Sequence, residues 1–327
     1  MQRIAVIGAG LAGLTCAQTL QSSGAEVVVI EKSRGAGGRL STRRTDLAQY
    51  DHGAQYFTVR DGQFAQFIDA RLADGSVAVW QPRLDSRLAK TVAQPWYVGT
   101  PGMSALGRAQ AKGLDLYTEQ RVHSLAKEAG QWRLTIEDGS VLHGFDAVVV
   151  AVPNAQAGPL LVDYAPQWSA QLQQTPMEPC WTLMFSTAEP LADADAGLPQ
   201  SGAIGWWARN SSKPGRPVQD GRHDWVIQAT AAWSQANIDA SKPNVEHELL
   251  LAFAHEIGAS AIEPVAPPMA HRWLYSRRQA GLPALAEPWL KPELGLGVCG
   301  DGLAHSRVEQ AYLSGLQLAK AMINALS

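Results

Sequence analysis

The first forty residues constrain this chain more than any other stretch. Arg3-Ile4-Ala5-Val6-Ile7 is a short apolar run, followed at once by Gly8-Ala9-Gly10-Leu11-Ala12-Gly13. Leu14 to Ser22 then has apolar positions at helical spacing, and past Gly24-Ala25 a second apolar run, Glu26 to Ile30, is closed by Glu31. Strand, glycine turn, helix, strand, acid is the βαβ unit that takes an adenine dinucleotide. Gly8 allows the tight turn, Gly10 lets the backbone approach a pyrophosphate, and Gly13 lets helix and strand pack closely. The helix N-terminus around Ala12 presents free N–H groups and the positive end of its dipole to the phosphates. Glu31 can accept hydrogen bonds from both ribose hydroxyls and would repel a 2′-phosphate.

Lys32-Ser33-Arg34-Gly35-Ala36-Gly37-Gly38-Arg39 continues as a basic, glycine-rich loop, where an NAD-binding chain would pass directly into its next helix. This stretch resembles the loop that follows the ribose acid in the amine oxidase and phytoene desaturase superfamily of flavoproteins. The resemblance implies that Lys32, Gly38 and Arg39 contact the cofactor, with the glycine pair beside the pyrophosphate and Arg39 neutralising it. The dinucleotide is then FAD.

At 327 residues the chain has room for two lobes. The net charge of −3 comes without a basic block, which argues against a nucleic-acid partner. Three dispersed cysteines (Cys16, Cys180, Cys299) argue against a disulfide framework and for a reducing compartment. No metal-ligand spacing occurs among them or the eight histidines, so no metal is expected. The N-terminus carries the glycine fingerprint rather than a cleavage pattern, and no apolar run is long enough for a membrane span. The expected location is cytoplasmic.

Asp51-His52-Gly53-Ala54-Gln55-Tyr56-Phe57, continued by Thr58-Val59-Arg60-Asp61, mixes polar, glycine and aromatic residues. It resembles the signature of the renalase branch of the superfamily. That resemblance implies that Gln55 and Tyr56 touch the flavin, while Phe57, Thr58, Val59, Arg60 and Asp61 border the substrate. A short helix (Phe64, Phe67, Ile68, Leu72), the strand Ser76 to Trp80 and a polar link lead to Trp96-Tyr97-Val98. Trp96 and Tyr97 suit either the wall of a pocket for a planar ring or a core pair. Thr100 to Leu106 looks like the turn and helix that re-enter the cofactor domain.

Leu116 to Leu125, Gln131 to Glu137 and Val141 to Phe145 alternate in polarity around Ala129-Gly130 and Asp138-Gly139, which predicts a β-meander. By analogy with related flavoproteins, the backbone at Arg121-Val122 meets the adenine. Asp146 to Pro153 is apolar throughout and reads as the last buried strand before the exit to a substrate lobe. That lobe is predicted to be an antiparallel sheet with helices. Its strands are Cys180 to Thr187, Ala203 to Ala208, Trp225 to Thr230 and one starting at His271-Arg272-Trp273. Its amphipathic helix is Glu246 to Gly258, with Leu249, Leu250, Phe253 and Ile257 on one face. Thr187 is a candidate pocket residue or a surface cap, and His271 reads as a structural histidine rather than a base.

Leu296-Gly297-Val298-Cys299-Gly300-Asp301-Gly302 is a strand ending in Gly-Asp, followed by a helix from Val308 to Leu326. It resembles the superfamily's second FAD motif, which implies Asp301 on the ribityl chain or adjoining phosphate and the helix N-terminus at Arg307-Val308 near the flavin pyrimidine. Gly315 within that helix costs roughly 1 kcal/mol against alanine, which close helix packing would justify.

The expected fold is therefore α/β. A Rossmann-like FAD domain with a parallel sheet and β-meander takes residues 1–60, 99–155 and 285–327, and an inserted antiparallel substrate domain takes 61–98 and 156–284. FAD is expected to be non-covalent, because no attachment motif is present. The renalase resemblance implies oxidation of the 1,2- and 1,6-dihydro isomers of NAD(P) to NAD(P)+, with O2 reduced to H2O2. A dihydropyridine gives up hydride because its ring regains aromaticity, so no general base is expected. Arg60 and Arg307 are candidates for the substrate's carboxamide or phosphate. The alternative is an amine oxidase or desaturase of the same superfamily.

Overall fold

The computed structural model describes residues 2–85, 94–216, 218, 221–285 and 289–326; part of the polar link before Trp96 lies outside this set. A six-stranded sheet runs in the order Leu290–Lys291, Leu296–Val298, Ala147–Val150, Arg3–Ile7, Glu26–Ile30, Asp115–Tyr117. All its pairings are parallel except that of the outermost Leu290–Lys291. The central strands Arg3–Ile7, Glu26–Ile30 and Ala147–Val150 are nearly continuous apolar runs because both faces are covered. Ile7, Val28, Val148 and Val298 pack beneath the meander (Trp132, Leu134, Phe145) and the helices Asn154–Leu161 and Pro166–Gln173. Ile4, Val6, Val27 and Val149 pack under the helices Leu11–Ser22 and Val308–Leu326.

Those two helices touch backbone to backbone at one point. A Cβ on Gly315 would lie 2.1 Å from the carbonyl oxygen of Ala12. The mid-helix glycine is thus a packing requirement, and it seats the last helix directly on the N-terminal turn of the first.

Two expectations need correction. Leu116 to Leu125 is not one strand: Asp115–Tyr117 joins the edge of the parallel sheet, and the meander begins at Val122. Between them Glu119 takes a left-handed conformation (φ 59°), and its N–H and that of Gln120 bond the carbonyls of Ser33 and Glu31. Ala147–Val150 is the sheet's last strand only up to the exit toward the antiparallel sheet; Leu290–Lys291 and Leu296–Val298 come later in the chain and are added outside it. A short hairpin, Thr42–Arg44 with Gln49–Asp51, carries no alternation that would have announced it.

The second sheet is antiparallel, in the order Ala196–Gly197, Ile204–Arg209, His223–Ala229, Met177–Thr187, Met269–Arg278. One face (Trp181, Leu183, Phe185, Trp207, Trp225, Ile227) packs on Val245, Leu249 and Phe253 of the helix Lys242–Ile257. The opposite face lies on the 42–57 segment. There Met184 and Val226 pack on Ala48 and Tyr50, and Thr182 and Trp273 bond the carbonyl of His52. Among the described residues no helix is long and apolar enough to cross a membrane.

Candidate dinucleotide and substrate site

The three glycines of the opening turn have distinct surroundings. Gly8 sits at φ +107°, where a Cβ would come within 2.6 Å of Ala151 O, and a Cβ on Gly13 would be 2.1 Å from Gly8 O. Both are fixed by close approach of the chain to itself. A Cβ on Gly10 would meet nothing within 4 Å, so its missing side chain leaves open space. The second glycine stretch runs alongside: Gly37 N donates to Ala9 O at 2.8 Å, and Gly38 lies over Gly10. Helical bonding starts with Leu14 N to Gly10 O, which leaves the Ala12 N–H at the open end of the helix.

Glu31 is buried at the end of the second strand, where Oε2 accepts from Ala9 N and Oε1 from Ser33 N, each at 2.8 Å. Each carboxylate oxygen keeps a further lone pair for a ribose hydroxyl. Beyond it, an open cavity of about 590 Å³ is lined by Lys32, Ser33, Glu119, Arg121, Ile136 and Glu137, beside the buried Val122.

The C-terminal motif arrives at the same place. Buried Asp301 pairs end-on with Arg39, with Nη1 at 3.0 Å and Nη2 at 2.5 Å, while Nη1 also donates to Ser276 O at 2.9 Å. Arg39 was expected at the pyrophosphate and Asp301 on the ribityl chain or the adjoining phosphate. The structure couples them to each other and to the antiparallel sheet, so the two ends of the chain close one site. A Cβ on Gly300 would meet nothing within 4 Å, and Gly302 is packed against the buried Asn154, whose Nδ2 bonds its carbonyl. Asn154 had no local signal beyond its place after Pro153.

The residues present fit a dinucleotide. The two glycine stretches leave a trough that a Cβ on Gly10 would intrude upon, with a helix N-terminus at one wall and an acid at the ribose position.

The 51–61 segment separates into three kinds of residue. Gln55 is turned into the protein: Nε2 donates to Asp51 O (2.5 Å) and Gly53 O (3.1 Å), and Oε1 accepts from Lys213 Nζ (3.1 Å). Only its backbone is free to face a cofactor. Tyr56 stacks on Trp96 with ring centroids 3.9 Å apart, and both contact Trp206. Phe57 pairs by backbone with Tyr97 (2.9 Å each way) and stacks on its ring.

Thr58 and Val59 are half-buried, whereas Arg60 is exposed. Asp61 caps the helix Gly62–Ala73, accepting from Gln63 N and Phe64 N. Glu309 Oε1 accepts from Arg60 N and Asp61 N, which brings this stretch to the exposed Arg307 and half-buried Val308. Thr187 is not brought to this site. Its side chain lies on the sheet face covered by the helix Lys242–Ile257, where Oγ1 accepts from Trp225 Nε1 and donates to Glu189 O.

His52, at 4% exposure, contacts His271 edge-on (4.7 Å) and stacks on Trp273 (5.1 Å). Burial, followed by the neighbouring His271 and Arg43, pushes His52 down to about 3. Burial, Arg43 and Lys242 bring His271 to about 4. Both rings are neutral at pH 7, and neither stores a proton for catalysis there.

The same shifts make the fold sensitive to acid. Below the ordinary value of 6.5 the unfolded chain binds protons that folded His52 refuses, so stability falls as pH drops from 6.5 toward 3. The expected slope from His52 is about 1.4 kcal/mol per pH unit, with a smaller, solvent-discounted share from His271. Urea unfolding at pH 4.5, 5.5 and 6.5 measures it, and His52→Gln should flatten the slope by about one proton.

Comparison with known proteins identifies the family and the fold. The profile described as flavin containing amine oxidoreductase matches residues 77–323, and that of an NAD(P)-binding Rossmann-like domain matches residues 6–70. Mitochondrial protoporphyrinogen oxidase of Nicotiana tabacum is 39% identical over 69 residues, which are 21% of this chain and 14% of that protein's length. Cyclohexylamine oxidase from Brevibacterium oxydans IH-35A superposes with a TM-score of 0.76 at 14% identity over 99% of both chains. An oxidoreductase from Methanosarcina mazei superposes with a TM-score of 0.73 at 16% identity, over 98% of this chain and 100% of that one. At such identities the structural likeness establishes the fold.

Proposed function

The chain belongs to the flavin-containing amine oxidoreductase family, and from that premise we propose that it is an oxidase of the renalase type. Its substrates would be the 1,2- and 1,6-dihydro isomers of NAD(P), oxidised to NAD(P)+ with O2 reduced to H2O2. Its cofactor is FAD, which when bound would supply the hydride acceptor and the two-electron couple with oxygen. We assign its binding to residues 1–60, 99–155 and 285–327, with the pyrophosphate over Gly10 and Gly38, the ribose on Glu31 and the ribityl end near Asp301.

One observation carries the choice of substrate. In the 51–56 segment the carboxylate and the amide are already committed internally: Asp51 to Arg216 and Lys213, Gln55 to Lys213 and two carbonyls. The remaining His52 is held neutral. What the segment offers is aromatic surface, Tyr56 with Trp96 and Trp206. A dihydropyridine needs a stacking partner, orientation and exclusion of water, and no base. Arg60 and Arg307 stand exposed at the adjoining helix start, where a guanidinium suits a carboxamide or phosphate.

The same aromatic surface suits an amine, which makes amine oxidation the competing outcome. Anaerobic mixing separates the two. The isomeric dihydronicotinamides should bleach the flavin absorbance within the mixing experiment, while cyclohexylamine and putrescine leave it unchanged. Bleaching by an amine without bleaching by the dihydronicotinamides would reverse the assignment.

A further inference from the structure

Behind Gln55 lies a charge cluster that the proposed reaction does not use. Asp51 is fully buried, and its Oδ1 accepts from Thr42 Oγ1 and Met103 N, each at 2.8 Å. Its Oδ2 pairs closely with Arg216 Nη2 and stands 3.5 Å from Lys213 Nζ. The side chains of Asp51 and Lys213 are 0% exposed and that of Arg216 1%. Two cations thus share one carboxylate, and the protein encloses a residual positive charge.

The arrangement is built rather than incidental. The turn Asn210–Ser212 is pinned to the hairpin strand by Asn210, which donates to Gln49 O at 2.7 Å and accepts from Asp51 N at 3.2 Å. Arg216 is held further by Gly99 O and Pro214 O. Asp51 with Arg216 alone would be a neutral pair, so the third charge adds a desolvation cost that this pairing does not repay. Lys213 is directed at Gln55 Oε1 (3.1 Å) and lies over the Trp80 ring (5.4 Å).

We propose that the buried Lys213 ammonium is a counter-charge for the reduced cofactor, held behind the Gln55 amide so that its field favours the flavin carrying the extra electron pair. The inference rests on the reading that the 51–56 segment lines the isoalloxazine ring. A fixed charge in a dry interior acts more strongly than in water, and charge near the flavin is one way a protein sets its electronics. Burial brings the Lys213 ammonium down to about 8 against the pull of Asp51, so the field should fade above that pH. The charged groups facing it among the described residues are Asp51 and Arg216.

The test uses the FAD-loaded protein and its variants Lys213→Met and Lys213→Arg. The two-electron potential is read by equilibration with a reference dye, and the affinity of the oxidised protein for sulfite, which leaves negative charge on the ring, is read from the absorbance. Lys213→Met should shift the oxidised–reduced equilibrium about tenfold toward the oxidised form, a fall of about 30 mV, and weaken sulfite binding similarly. Lys213→Arg should keep both within about twofold. Unchanged values in Lys213→Met, or equal changes in both variants, would overturn the proposal.

If Lys213→Met fails to hold FAD, the wild-type potential measured from pH 6 to 10 decides. A steepening near pH 8 supports the proposal and a straight line refutes it. Neither readout uses a nicotinamide, so the dihydronicotinamide assignment can fail without changing either result.

Discussion

Gly10→Val should give a folded protein that cannot retain FAD. The substituted position is extended (φ −72°, ψ 170°), a conformation open to valine, and a Cβ there touches no protein atom within 4 Å. The valine methyl groups would instead fill the trough between the two glycine stretches and hold the pyrophosphate off the backbone. Losing two charge-assisted hydrogen bonds at about 1.5–3 kcal/mol each weakens FAD binding by at least about 100-fold. The apo forms of wild type and variant should melt within a few degrees of one another. That comparison must be made without FAD, because bound cofactor stabilises by mass action.

Gly13→Val is the control with the opposite signature. Its Cβ would sit 2.1 Å from Gly8 O, so it should lose the fold along with the cofactor. A yellow, FAD-saturated Gly10→Val protein would sink the placement of the pyrophosphate.

Asp51→Asn should cost about 3–5 kcal/mol of stability, the usual penalty for breaking a buried ion pair from one side. Here the loss is compounded, because Lys213 and Arg216 would face each other with no carboxylate between them. Burial raises the Asp51 carboxyl, but Lys213, Arg216 and the Arg216 and Met103 hydrogen bonds outweigh it and hold the group below its ordinary value. Removing one of the stranded cations should therefore relieve the damage: Asp51→Asn/Lys213→Met is expected to recover part of the loss. Urea unfolding of the two single variants and the double variant gives the coupling directly. Additive effects would mean that Lys213 and Asp51 do not interact as their positions require.

The cofactor end of this molecule was legible in the sequence because its determinants are local. Gly8, Gly10 and Gly13 stand at fixed offsets in one strand–turn–helix, and the acid at the end of the second strand is placed by the strand itself, although what Gly8 packs against (Ala151) lies far along the chain. Gly315 was legible for a related reason: an exposed helix has no use for a mid-helix glycine, so its presence announces a close neighbour. The outer sheet was harder. Met177–Thr187 is buried on both faces, so no alternation of polarity marked which side its terminal threonine takes. The split at Tyr117 was hidden because three residues suffice to extend a parallel sheet, and Thr118 to Arg121 contains no glycine or proline to mark the break.

By itself, then, the sequence determined a dinucleotide fold closed by motifs at its two ends, since turn geometry and strand burial act over a few residues. Tertiary structure alone decided that Arg39 pairs with Asp301 across 262 positions and that Asp51 meets Lys213 and Arg216 across 162 and 165. Ionised side chains carry no periodicity, and the same residues would serve equally well on a wet surface. Only the docking of the antiparallel sheet on the hairpin removes the water, and with it the charges acquire their partners and their consequences.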